Sequence, residues 1–385
     1  MYEELEKKLI EWRHMLHQIP EPAFEEIKTS DFIAVRLEEM GYGVHRNIGK
    51  TGIVANLTVG KGLKTIGLRA DMDCIKIQEA SDISYKSKHE NCMHACGHDG
   101  HVVTLLGAAY LIAKNKNFNG TVRLIFQPAE EPGYGATAMI NDGLLEKFPI
   151  DEIYGLHNMP GLPEGVIHAR IGGIMASEDN FSIKIHGKGG HASAPNLVID
   201  PLIIASNIVM ALQTIVSRNS DPVDTAVVSC TEFLTDGAHN AIPSNVTILG
   251  DTRSFDPKVQ ILIEKRMKEI TKSICEAYGA TWEFEYTHEF SPTINTKECY
   301  ETAVEAAKIA LGEKNVIENC RPLMSSEDFA KYLEKVPGCF VFLGGAKSDN
   351  SDEIYPLHNH LYDYNDNNLI KGAKYFEEIV KLVLK

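Results

Sequence analysis

Near residue 180 the chain changes texture, and this change limits the fold more than any other feature. Phe181, Ile183 and Ile185 alternate with Ser182, Lys184 and His186, the pattern of a strand with one wet face. A helix is expected over about 201–218, then strands near 225–231 and 245–255. A long helix follows over 257–278, with Val259, Ile263, Met267, Ile270 and Ile274 on one face, then a strand near 281–286. Residues 181–289 therefore read as a β-α-β-β-α-β unit, a ferredoxin-like α+β plan.

The flanking sequence has another pattern. Leu5, Leu9, Trp12 and Leu16 mark an amphipathic helix over 1–18, and a second runs over 30–40 until Gly41-Tyr-Gly. Short apolar runs at 53–57, 65–68 and 121–126 enclose a helical stretch at 102–113. After about residue 291 the same texture returns, with a helix near 299–311, a buried run at 339–343 and a last helix from Leu369. The expected class is α/β: a mixed-sheet domain with helices on both faces, built from 1–180 and 290–385 and interrupted by the smaller insertion 181–289.

The chain carries 53 acidic against 38 basic residues, a formal charge of −15 over 385 residues. That argues against nucleic acid as a partner, which needs a basic face. The first twelve residues are rich in Glu and Lys and lack the apolar core of a signal peptide. The longest apolar stretch, 201–212, contains Ser206 and Asn207 and is short for a membrane span. A cytoplasmic location and no membrane partner are expected. Eight scattered cysteines with no framework spacing fit reduced thiols.

Met93-His-Ala-Cys-Gly-His-Asp-Gly-His101 places three histidines, a cysteine and an aspartate in one short stretch. Thiolate and imidazole are ligands for zinc and its first-row neighbours, and Gly97 permits the tight turn that would let Cys96 and His98 converge. A polar loop before a helix is the plainer alternative, but the density of ligands favours metal. Gln127-Pro-Ala-Glu130-Glu131-Pro132 follows an apolar run; one carboxylate can bind metal while its neighbour acts as base, and alone it reads equally as an exposed acidic turn. His157 ends an apolar strand and alone would pass for a satisfied core histidine. Pro356-Leu-His358-Asn-His360 alone would be a surface loop. All four lie at or just after expected strands of one domain, and ligands of open α/β sheets bind at the carboxyl ends of strands. One metal centre explains the four together. Within the insertion, His191 sits at the tip of Gly187-Lys-Gly-Gly-His191, Asn240 in Ala238-His-Asn-Ala, and Arg253 in Asp251-Thr-Arg253. Arg253 fits either an internal carboxylate partner or a clamp on a substrate carboxylate.

Arg69-Ala-Asp-Met-Asp73, His94-Ala-Cys-Gly-His-Asp99, Gln127-Pro-Ala-Glu-Glu131, Gly155-Leu-His157 and Met324-Ser-Ser-Glu-Asp-Phe329 together resemble the metal-dependent amidohydrolases that include hippurate hydrolases, N-acyl-amino-acid aminoacylases and indole-acetyl-amino-acid hydrolases. The resemblance covers essentially the whole chain and is strongest to bacterial hippurate hydrolases. It implies a centre of two divalent ions (zinc, manganese, nickel or cobalt), with Cys96 shared between them and His98, Glu131, His157 and His358 as the other ligands. It implies Glu130 as general base, acting on a water activated by the metals, in hydrolysis of N-acyl amino acids. It also implies a homodimer formed through the insertion, with His191 stabilising the oxyanion in the partner's site and Asn240 and Arg253 binding substrate. Two positions depart from the pattern. Cys74-Ile75-Lys76 stands where relatives usually carry Ala-Leu-Pro, and His360 stands where they often carry Pro or a small residue.

Three other readings compete. A metallo-dipeptidase or aminopeptidase on the same scaffold would need an acidic group for a free α-amine. A Cys96 thiol nucleophile would leave Glu130, Glu131, His157 and His358 without roles. A non-catalytic metal scaffold would leave the base candidate without one.

Overall fold

The computed structural model describes residues 2–348, 350 and 354–385. In chain order the elements that matter are α1 (Tyr2–His17), α2 (Ile27–Glu39), β1 (Gly43–Ile48), β2 (Gly52–Val59), β3 (Thr65–Asp71), α3 (His98–Asn115), β4 (Gly120–Gln127), β5 (Glu152–Met159), β6 (Ile167–His168), β7 (Glu178–His186), α4 (Pro201–Thr214), β8 (Ala226–Thr235), β9 (Asn245–Ser254), α5 (Pro257–Tyr278), β10 (Thr281–Phe290), α6 (Lys297–Leu311), β11 (Val316–Ile317), β12 (Gly338–Gly344) and α7 (Leu369–Val383).

The chain forms two compact units. The first holds Met1–Ile174, Ile294–Arg321 and Asp328–Lys385; the second holds Met175–Thr293 and Pro322–Glu327. The inserted unit thus starts before residue 181, ends after 289, and takes a short return segment that local pattern does not reveal. The reason is hydrogen bonding: the Ala176 N–H donates to the carbonyls of Leu323 and Ser325 (3.1 and 3.0 Å), so 322–327 joins the second unit.

In the first unit the eight-stranded sheet runs β1-β2-β4-β3-β5-β12-β6-β11. β4, β3, β5 and β12 are mutually parallel neighbours, while β1, β2 and β6 pair antiparallel. The parallel strands are buried on both faces, so they read as continuous apolar runs. One set of side chains (Ile66, Leu68, Val122, Leu124, Tyr154, Leu156, Val341, Leu343) faces the core built with α1, α2, α3, α6 and α7. The alternate set includes Ile125, Ile153, Phe340 and Phe342 and is also buried. Both faces of the sheet are thus covered, with the long helices on one side.

In the second unit the sheet order is β8-β9-β7-β10, antiparallel throughout, the strand arrangement of the ferredoxin-like plan. α4 and α5 supply Ile204, Ile208, Leu212, Val259, Ile263 and Met267 to its core. Asp200 and Asp256 cap the two helices by accepting from the N–H groups of Leu202 and Lys258, each followed by proline at the first helical position. The apolar stretch seen at 201–212 belongs to one helical run of 19 residues, Pro201–Asn219, long and apolar enough by itself to cross a bilayer. Its stripe Ile204, Ala205, Ile208, Leu212 and Ile215 is instead buried in the core of this unit, which accounts for its apolarity.

Candidate metal centre

The parallel strands β3, β4 and β5 end side by side. Asp71 pairs in register with Gln127, and Arg69 with Gly155. Their carboxyl ends therefore deliver Asp71 and Asp73, then Glu130 and Glu131, then His157 and Asn158 to one place. α3 starts there too, behind Gly97, whose φ is +90°. A Cβ at Gly97 would lie 2.4 Å from Asn158 Oδ1 and 2.8 Å from Tyr362 Oη, so only glycine lets the Cys96–His98 turn enter this corner.

The ligand atoms of Cys96, His98 and His157 lie within 4.8 Å of one another, and so do those of Cys96, Glu131 and His358. Cys96 is common to both groups. Cys96 Sγ is 3.4 Å from His157 Nε2, and His358 Nε2 is 3.5 Å from Glu131 Oε2. Glu130 Oε2 is 3.8 Å and Glu131 Oε1 3.7 Å from His98 Nε2. His358 adopts φ +65° and is anchored by its N–H to the Ala95 carbonyl at 2.8 Å. Its neighbour His360 is exposed and belongs to neither ligand group.

Supporting contacts orient each ligand. His98 Nδ1 donates to the Asp73 carbonyl (2.9 Å) and His157 Nδ1 to the Asn158 carbonyl (2.7 Å), which leaves both Nε2 lone pairs turned inward. The Asp73 carboxylate accepts the backbone N–H groups of Glu130 (3.0 Å) and Glu131 (3.1 Å). It therefore shapes the bend that starts at Ala129, where φ is +49°. The Ala129 N–H in turn donates to the buried Glu26 at 2.9 Å.

The donor set suits a divalent cation. His98 Nε2 and Glu131 Oε1 are buried and have no hydrogen-bond partner among the described residues, a costly state for polar atoms. Burial alone would lower the His98 imidazole, but Asp71, Asp73 and Glu131 push it up to about 10. Burial raises Glu131 to about 7, against the pull of His98. Burial and the Glu131 and Glu130 carboxylates push the Cys96 thiol far up. A surplus of carboxylates around these groups calls for positive charge, and a bound ion would replace the protons on thiol and imidazole.

Several site residues were not singled out by their sequence. Asp71, His98 and His101 form a further ligand-like group. However, His101 Nε2 lies 3.0 Å from the Asn158 N–H and 2.5 Å from Asn158 Oδ1, and its Nδ1 lies 2.6 Å from Asp71; neither nitrogen is left for a metal. His101, Asp71, Asp73 and Asn158 are supports; the first three lay within the Arg69–Asp73 and Met93–His101 motifs, and Asn158 directly follows His157. Asp99 turns away from the centre, accepting from His17 Nδ1 (2.8 Å) and Arg13 Nη1 (3.3 Å). Arg13 also pairs with Asp363 at 3.0 Å and with Asp366. His94 is buried with both ring nitrogens unpartnered among the described residues.

The remaining expected residues lie in the second unit. His191 is exposed on a two-residue strand paired with Ala241–Ile242. The Ser193 N–H donates to its Nδ1 at 3.1 Å, so Nε2 carries the proton. Asn240 is exposed, and its carbonyl accepts from Ala192 N–H at 3.0 Å. Arg253 is engaged internally, with Nε 3.0 Å from Asp251 and Nη1 2.9 Å from Glu178 and 2.7 Å from Ser326 Oγ. Of the two fates open to Arg253 in the sequence, internal pairing is the one the structure contains.

Comparison with known proteins agrees with this architecture. Residues 67–382 match the model of peptidase family M20/M25/M40. The hippurate hydrolase of Campylobacter jejuni is 44% identical over 373 residues, 97% of this chain and 96% of that protein. Thermostable carboxypeptidase 2 of Saccharolobus solfataricus is 40% identical over 375 residues, 96% of this chain and 94% of that protein. Among solved structures, YXEP of Bacillus subtilis, described as a dinuclear metal binding peptidase from the M20 family, superposes with a TM-score of 0.85 at 32% identity, covering 99% of both chains. The chain belongs to peptidase family M20/M25/M40, and it is a metal-dependent amidohydrolase.

Proposed function

We propose that this enzyme hydrolyses the amide bond of N-acyl amino acids of the hippurate type, releasing a carboxylic acid and a free amino acid. The observation that carries the reading is the pairing of two ligand groups through Cys96 with Glu130 beside them. Cys96, His98 and His157 would hold one divalent ion, and Cys96, Glu131 and His358 the second. When bound, such ions lower the pKa of water and polarise the scissile carbonyl. Glu130 takes the proton of the attacking water and returns it to the leaving amine. His191, with its proton on Nε2, donates to the oxyanion as it forms. Asn240 and Arg253 bind substrate. Because Glu178 and Asp251 already balance the charge of Arg253, it contributes hydrogen bonds from Nη2, for which no partner appears among the described residues, more than net charge.

The two relatives reported above bear on substrate class. A hippurate hydrolase and a carboxypeptidase both cut an amide whose nitrogen belongs to an amino acid with a free carboxylate. An aminopeptidase or dipeptidase reading instead needs a receptor for a free α-amine. Purified enzyme is therefore expected to hydrolyse benzoyl-glycine, to lose that activity on chelation, and to regain it with zinc, manganese, nickel or cobalt added singly. Turnover of glycyl-glycine in preference to benzoyl-glycine would replace this reading with the dipeptidase one.

A cytoplasmic homodimer formed through the inserted unit completes the proposal. β8 is an edge strand, with Phe233 and Leu234 exposed, and α4 leaves Ile203 and Met210 uncovered. Such an edge and apolar face suit a second copy of the chain. If His191 acts in the partner's site, inactive Glu130→Gln and inactive His191→Ala chains, mixed under exchange, recover partial activity, because one site of each mixed dimer keeps both residues. No recovery, with exchange shown by differential tags, would place His191 outside the partner's chemistry.

A further inference from the structure

The turn that carries Cys96 and His98 is tied to the end of β3 by one short clamp. Ile75 and Met93 exchange both backbone hydrogen bonds, at 3.2 and 3.1 Å, as an antiparallel bridge. Successive side chains of extended backbone alternate between faces. Cys74 and Cys92 therefore occupy diagonal positions on the face opposite Ile75 and Met93. Burial pushes the Cys74 thiol up, the neighbouring Cys92 adds to the rise, and both cysteines are free. Cys74 is buried, while Cys92 is partly exposed.

We infer that Cys74 and Cys92 are a reversible disulfide pair that disables the metal centre when a small-molecule disulfide oxidises it. The Cys92 thiolate, the accessible one, displaces one thiolate from the reagent and forms a mixed disulfide. Cys74 gives up its proton to the released thiolate and displaces the second thiolate from Cys92 Sγ. Two protein thiols become one disulfide, and one small disulfide becomes two thiols.

The geometry connects this bond to the chemistry proposed above, on which the activity readout rests. Diagonal positions across an antiparallel bridge lie about 7–8 Å apart at Cα, whereas a disulfide needs roughly 4.4–6.8 Å. Closing the bond draws the two segments together by about 1 Å. One segment carries Asp73, whose carboxylate holds the Glu130 and Glu131 N–H groups and whose carbonyl holds His98. The other runs through Met93, whose carbonyl accepts from Ala95, and the Ala95 carbonyl in turn anchors His358. Every candidate ligand except His157 is thus held from one side of this clamp or the other.

The test treats metal-loaded enzyme with oxidised glutathione, then maps peptides without reduction and assays benzoyl-glycine hydrolysis. The expected result is a linked peptide joining Cys74 to Cys92, a fall in activity of about a hundredfold, and recovery with dithiothreitol. Cys92→Ala and Cys74→Ala keep basal activity and lose sensitivity to the oxidant. Absence of the linked peptide overturns the inference, as does its formation with activity intact. Loss of activity in Cys92→Ala at the wild-type rate also overturns it and moves the effect to Cys96. The linked peptide is read without substrate, so inactivity toward N-acyl amino acids before oxidation would sink the substrate reading alone.

Discussion

Replacing Glu130 by glutamine is expected to leave both metal sites filled and to lower kcat by about 10²- to 10⁴-fold, the range that general acid–base catalysis supplies. The substitution keeps the side chain's shape and the backbone bonds that help to place the residue. Those bonds run through backbone: the Glu130 N–H donates to Asp73 Oδ1, and the Glu130 carbonyl accepts from Gly133 at 2.7 Å. What is lost is the capacity to accept a proton. KM should change little, because the amide is isosteric with the carboxylate. Glu131→Gln should behave differently. Glu131 belongs to the group with Cys96 and His358, so weakening it should lower the metal content as well as the rate. Metal content measured beside kcat separates the roles of two adjacent glutamates. A Glu130→Gln enzyme that turns over at a near wild-type rate, or one that loses its metal, would remove Glu130 from the position of base.

The contrast between these neighbours shows where sequence reading reaches and where it stops. Cys96, His98, Glu130 and Glu131 were legible as candidates because their chemistry is dense and local: a turn glycine between two candidate ligands, and two carboxylates at a strand end. The ferredoxin-like insertion was legible because alternation and helical spacing are properties of each segment on its own. Asp71 and Asp73 were quoted within a motif, and Asn158 follows one, but none had a separate role, because each acquires one only in the folded site. Asp71 reaches His101 because the end of β3 meets the start of α3, and such a meeting leaves no mark on either segment alone. The return of 322–327 to the second unit rests on two backbone hydrogen bonds at Ala176, which no side-chain pattern reports. Arg253 marks a different limit. Its sequence allowed both an internal partner and a substrate, and nothing local to Arg253 pointed to the internal partner it has in Glu178, on another strand.

The Met324-Ser-Ser-Glu-Asp328-Phe329 motif gives the second large effect, on stability. Asp328 is fully buried beneath the sheet. It accepts from Arg69 Nη2 (3.0 Å), Gln127 Nε2 (2.7 Å) and the Ala136 N–H (2.9 Å). Arg69 is itself buried, with Nη1 2.7 Å from Asp71 and Nε 2.8 Å from Gln127 Oε1. Removing one partner of a buried ion pair costs more than the pair contributes, because it strands the opposite charge. Asp328→Ala also removes the acceptor of two further buried donors. The variant is expected to lose about 3–5 kcal/mol of unfolding free energy, read as a lower guanidinium midpoint at an unchanged slope. The loss should reach the metal centre as well: Arg69 braces Asp71, and Asp71 holds His101 at 2.6 Å, so metal affinity should fall along with stability. A variant within about 1 kcal/mol of wild type would mean that solvent or a rearranged carboxylate satisfies Arg69, and would remove this motif from the structural support of the site.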